Sequence, residues 1–107
     1  MGYLTRYELD IENMNPKEEP FIVETFKNKG IIDYALDEDF NFYDSVKWYD
    51  HEEQMREISR MFPHLIFHLH GEGEDAGDLW QKHFKGGKMQ ACYAEIVYPP
   101  FDPKELR

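Results

Sequence analysis

The run His68-Leu69-His70-Gly71-Glu72 gathers the chain's sharpest set of metal-binding side chains. Residues two apart share one face of an extended segment, so His68, His70 and Glu72 would project together. Two imidazoles and a carboxylate suit a first-row metal ion, which can activate water. His83, Glu74, Asp75 or Asp78 would have to complete the shell, and none stands at a diagnostic spacing. The competing reading places these histidines on the solvated face of a half-buried strand. That plainer reading is preferred.

Other chemistry is less well supplied. Glu72, Glu74, Asp75 and Asp78 miss the alternating ligands, central glycine and distal glutamate of a calcium loop. Gly71, Gly73 and Gly77 make no phosphate cradle, because no Lys-Ser/Thr follows and the intervening acids repel an anion. A thiol turns nucleophilic beside a base or a positive charge. Cys92 would face Gln81 across a hairpin, with His83 two residues farther along the same face, so packing is its expected role. No catalytic or cofactor motif is complete, and no cofactor is expected. The balance leans away from an enzyme.

Charge carries more information. Between Asp33 and Glu53 stand Asp33, Asp37, Glu38, Asp39, Asp44, Asp50, Glu52 and Glu53, opposed by Lys47 alone. Tyr34, Phe40, Phe42, Tyr43, Trp48 and Tyr49 are interleaved with them. Carboxylates among flat rings can imitate a nucleic-acid strand and compete for a cationic cleft. Alternatively the acids are an ordinary solvated face and the rings lie in the core. Lys82, Lys85 and Lys88 would form a basic hairpin tip, able to meet the acidic patch of a second copy.

The whole chain has 22 acidic side chains against 12 Lys and Arg, a net charge of −10. Nucleic-acid binding draws its affinity from neutralising phosphates, so direct contact with DNA or RNA is disfavoured. With 107 residues, 41% hydrophobic, the chain fits one folded domain, 1–107. One cysteine excludes an internal disulfide and suits a reducing compartment. No apolar run of about 18 residues offers a membrane span, and the first residues lack a secretion-signal layout. A cytoplasmic location is expected.

These groups must be positioned by a small set of elements. Residues 3–12 alternate Tyr3, Thr5, Tyr7, Leu9 and Ile11 against Arg6, Glu8, Asp10 and Glu12, which predicts a half-buried strand. A helix is predicted over 20–28, with Phe21, Ile22 and Phe26 inward and Gly30 ending it. Residues 31–36 read as a short strand or extended segment, 37–39 as an exposed turn, and 41–49 as a second extended stretch. Asp50 would cap a helix whose buried stripe is Met55, Ile58 and Phe62, stopped by Pro63. Leu65, Phe67 and Leu69 mark one face of a strand, and 71–77 a flexible acidic loop.

Residues 78–84 and 89–98 predict a hairpin about Gly86-Gly87. A two-residue turn sets Trp80 opposite Tyr93 and Phe84 opposite Met89. The same register would bring Asp78 against Glu95, so pairing should stop before Asp78. Pro99-Pro100 would halt the second strand. The architecture expected is α+β and ferredoxin-like. It has a mostly antiparallel sheet of about four to six strands, two helices on one face and a C-terminal hairpin.

The run from Trp48 through a helix to Phe62-Pro63, then Leu65, Phe67, Leu69, Gly71-Glu72-Gly73 and Gly77, resembles the YubB-type ferredoxin-like domain. That domain occurs in small proteins of phages and plasmids. The shared features are a Trp, an amphipathic helix, a Phe-Pro stop, an alternating strand and an acidic glycine-rich loop. The resemblance spans Trp48 to Gly77, about a third of the chain. It implies a ferredoxin-like fold and a mobile-element origin, and no catalytic residue.

The expected function is therefore non-enzymatic binding to a basic protein surface, that of a nucleic-acid-binding protein, with inhibition as one form. Asp37, Glu38, Asp39, Asp44, Trp48 and Tyr49 would make the interface. The alternatives are a metal-binding module or metal-dependent enzyme using His68, His70 and Glu72, and a structural homo-oligomer such as a homodimer.

Overall fold

The computed structural model describes residues 3–107. Alternation in the opening segment becomes β1 (Thr5–Glu12), with Thr5, Tyr7 and Leu9 buried and Arg6, Glu8 and Asp10 exposed. Helix α1 (Glu19–Asn28) carries Pro20 in its first turn, where proline is tolerated, and buries Ile22 and Phe26, one turn apart. Phe21 does not join them. A step of about 100° per residue turns it outward, and it is 69% exposed.

Helix α2 (His51–Met61) buries Met55 and Ile58 as its spacing requires, with Phe62 half-buried at its end. Asp50 sits at the cap position, but its side chain makes no capping bond. Its main-chain oxygen instead accepts from the Gln54 N–H. Ser59, also buried, fastens the helix to the hairpin tip by accepting from the Gly87 N–H at 2.8 Å.

Three consecutive strands complete the sheet: β2 (Ile66–Gly73), β3 (Leu79–Lys85) and β4 (Lys88–Tyr93). All pairs are antiparallel and the spatial order is β1-β2-β3-β4. The fold is thus α+β with four strands, both helices falling between β1 and β2. The hairpin register is as expected, with Trp80 opposite Tyr93 and Phe84 opposite Met89. Gly86 and Gly87 turn it with φ of 56° and 83°.

Two boundaries differ most from the sequence reading. Gly71-Glu72-Gly73 belong to β2 rather than to a loop, because the Trp80 ring lies flat over Gly71. A Cβ at Gly71 would stand 2.1 Å from that ring. β4 ends at Tyr93 rather than running to Tyr98. Its neighbour β3 begins only at Leu79, whose carbonyl takes the last bond from the Ala94 N–H. Asp78 and Glu95 accordingly never meet in the ladder.

Tyr7, Leu9, Phe67, Leu69, Trp80 and Phe84 turn toward the helices and merge with Ile22, Phe26, Met55 and Ile58 in one core. Residues 31–50 close this core from the side. Thr5 exchanges both main-chain bonds with Val46, and the Leu9 N–H donates to the Phe40 carbonyl. That segment therefore covers the outer edge of β1. The opposite sheet face carries rows of polar side chains, and the chain beyond Tyr93 leaves the domain as an exposed arm.

Candidate functional site

Residues 31–50 form no regular element, yet they are tightly held. Ile31, Ile32, Ala35, Leu36, Phe40, Val46 and Trp48 are buried and anchor the segment to the core. Isolated bridges join Ile32 to Leu36 and Leu36 to Phe42. The Asp37 carboxylate accepts from the N–H groups of Asp39 and Asn41 at 2.8 and 3.0 Å, closing the tight turn between them. Phe40 then adopts φ of 64°, which is costly for a large side chain. Burial against Phe26, with ring centroids 5.2 Å apart, holds it there. Tyr34 ties the segment's two ends together by donating its hydroxyl to the Lys47 carbonyl at 3.1 Å.

What remains outside is mostly anionic and aromatic, with Lys47 the one exposed cation of the segment. Asp33, Glu38, Asp39, Asp44 and Asp50 are exposed, as are Tyr34, Tyr43 and Tyr49. Asp37 is half-buried and serves its turn, and Glu38 pairs with Lys27 at 2.5 Å. Of the interface residues read from sequence, Asp37, Glu38, Asp39, Asp44 and Tyr49 thus reach the surface at least in part. Trp48 does not, and this corrects the sequence reading. Its indole is 5% exposed, packs edge-on to Tyr7 and donates to Gln54 at 2.6 Å. Phe42 is half-buried beneath the Arg6 guanidinium, 4.2 Å from its ring centre.

His68, His70 and Glu72 do share the open face of β2. They do not converge. His68 lies between His83, Nδ1 to Nδ1 at 2.7 Å, and Glu12, Nε2 to Oε1 at 2.9 Å. His70 pairs instead with Asp10 at 3.2 Å, and Glu72 stands opposite Arg6. Among the described residues, no group of three or more His, Cys, Asp or Glu side chains could hold a metal ion. The contact between the two imidazoles needs one N–H and one lone pair, so at least one ring is neutral. The His83 pKa is pushed below the usual histidine value. Partial burial is the main cause, followed by the nearby His68 and His70.

A cluster the sequence reading missed lies on the helix side. Lys82 is 5% exposed, so it is not part of a basic tip with Lys85 and Lys88. Its ammonium donates to Glu52 at 2.6 Å and to His51 Nε2 at 2.8 Å, and sits 4.4 Å above the Trp80 ring. His51 in turn directs Nδ1 at the Trp48 carbonyl and stacks on Trp80, with ring centroids 5.2 Å apart. Burial drives the His51 pKa down, and the Lys82 charge adds to that, against the bond to Trp48. Strict alternation with Trp80 and Phe84 was the available signal that Lys82 points inward.

Cys92 is exposed on the open face opposite Gln81, while His83 is engaged by His68. Among the described residues, no helix is long and apolar enough to cross a membrane. No known protein family, curated protein or solved structure matches the chain.

Proposed function

We propose that this protein is a non-enzymatic binding module of a phage or other mobile element that docks on a cationic surface of a nucleic-acid-processing protein. Occupying that surface would inhibit the partner. One observation carries the reading. The 31–50 segment is fixed by its buried side, while Glu38, Asp39, Asp44 and Asp50 and the rings of Tyr34, Tyr43 and Tyr49 stay exposed on it. A surface held in shape before contact avoids much of the ordering cost of association. Tyrosines supply large anchors with few rotatable bonds, and the carboxylates steer encounter and select a partner of opposite sign.

The finer frame belongs to the same proposal. A ferredoxin-like chain carries a hairpin between its two helices. Here residues 31–50 occupy that interval and pair with the edge of β1 through Thr5 and Val46. The proposal includes a YubB-type ancestry and action in the host cytoplasm.

The test is capture from a bacterial host lysate by wild-type protein and by the triple variant Glu38→Lys, Asp39→Lys, Asp44→Lys. Asp37 is left intact because its carboxylate closes the turn. Wild-type protein should retain cationic proteins at low salt and release them near 1 M, where screening shortens to about 3 Å. The variant should retain none at low salt. Equal capture by both would remove the reading.

A further inference from the structure

The two edges of the sheet are treated differently. Residues 31–50 cover the β1 edge, where Thr5 and Val46 exchange bonds of 3.0 Å and Leu9 donates to Phe40 at 2.9 Å. Among the described residues, nothing pairs with the β4 edge. The Ala94 N–H donates to Leu79, so alternation turns the main-chain groups of Lys88, Gln90 and Cys92 toward β3. Those of Met89, Ala91 and Tyr93 then point outward, with no main-chain partner among the described residues. Exposed edges are commonly blunted by a proline, a charge or a bulge. Met89-Gln90-Ala91-Cys92-Tyr93 contains no proline and no charged side chain. Beyond it the arm exposes Ile96, Val97 and Tyr98, each more than half accessible.

We propose that β4 pairs antiparallel with β4 of a second copy about a two-fold axis at Ala91, joining the two sheets into one. Side chains keep their faces only if the paired residue numbers add to an even value. An axis at Ala91 sets Ala91 against Ala91 of the second copy and Met89 against its Tyr93. All three outward-facing residues of β4 are then used. Moving the axis to Gln90 leaves Tyr93 unpaired, and moving it to Cys92 sets Glu95 against half-buried Met89. The Ala91 axis also brings no like charges together, which matters for a chain of net charge −10. Lys88 stands against Ala94 of the second copy, beside its Glu95. Each arm then leaves the seam along the other copy's hairpin tip. There Ile66, Phe84 and Met89 help line a groove of about 560 Å³ that can seat Val97 and Tyr98. This interface is separate from the 31–50 surface and stands or falls independently of it.

Light scattering on eluted wild-type protein, at micromolar to sub-millimolar concentration, should give twice the chain mass. Ala91→Pro should give a monomer with unchanged circular dichroism, because proline is tolerated where the missing N–H faces outward on an edge strand. A monomeric wild type, or a folded Ala91→Pro dimer, overturns the proposal. A second variant decides the matter if Ala91→Pro does not fold. Gln90→Cys lies across the seam from Cys92 of the second copy in a non-hydrogen-bonded pair, with Cα atoms about 4.5 Å apart. With diamide as oxidant, it should run as a covalent dimer on a non-reducing gel. A monomer band only would rule out this register.

Discussion

Replacing Gly71 by alanine tests how the sheet is built, because propensity and sterics predict opposite signs. Alanine in a strand interior should stabilise by roughly 0.5–1 kcal/mol over glycine if space allows. Space does not allow it, since the added methyl would stand 2.1 Å from Trp80 Cε2 and Cζ2. Trp80 cannot swing away freely, being 8% exposed and packed against Tyr7, His51 and Lys82. Overpacking of this kind costs about 1–3 kcal/mol. Some of the roughly 150–250 Å² that a large aromatic buries would be lost as well. The net expectation is a loss of about 2–3 kcal/mol, or a urea midpoint lower by about 1–2 M.

The assay is urea unfolding followed by tryptophan fluorescence, in a double-mutant cycle with Trp80→Leu. Once the indole is removed, Gly71→Ala should cost less than about 1 kcal/mol, giving a coupling of at least about 1 kcal/mol. A stabilised Gly71→Ala, or two additive losses, would refute the account of Trp80 roofing a glycine.

Lys82→Ala should destabilise by about 2 kcal/mol in the same assay, since it removes a cation from the Trp80 ring and a donor from His51. Lys82→Met should lose less, because it keeps the stem. Stability should also fall on acidification. His51 and His83 have folded pKa values below the usual one, so the unfolded chain takes up protons first. Their contribution is whole above about pH 6.5 and is lost as pH falls from there through the lowered folded values. His51→Gln and His83→Gln should flatten urea midpoints measured across that range. A profile of unchanged slope would count against both placements. At the hairpin turn, Gly86→Val should cost about 1–2 kcal/mol and Gly86→Asn less than about 1, because only the φ of 56° opposes a side chain there. Equal thermal midpoints for the two would contradict that turn geometry.

Much of the scaffold was legible because local signals agreed. Gly86-Gly87 between two alternating runs specified both the turn and the register of Trp80 with Tyr93. Met55 and Ile58 announced the buried face of α2 by spacing alone. The failures come from contacts distant in sequence. Gly71 and Gly73 suggest a loop until Trp80, nine residues beyond Gly71, supplies the missing side-chain surface. Trp48 carries no local mark of burial. Its place follows from Tyr7 and Gln54, which meet only in the folded chain. At the candidate site, the exposure of Glu38, Asp39, Asp44 and Tyr49 could be read from their polarity and the surrounding turn residues. The division of labour by which Asp37 closes a turn while its neighbours face solvent could not.

The most direct measurement compares two charge-matched surfaces. Binding of a captured cationic partner is titrated against wild-type protein, the Glu38→Lys, Asp39→Lys, Asp44→Lys variant, and a Glu8→Lys, Asp10→Lys, Glu12→Lys variant on the open sheet face. Both triples change the net charge equally, so long-range attraction weakens to a similar extent in each. The account predicts at least a hundredfold loss for the first and less than about tenfold for the second. Equal losses, or a greater loss for the strand variant, would show that the 31–50 surface is not the docking face.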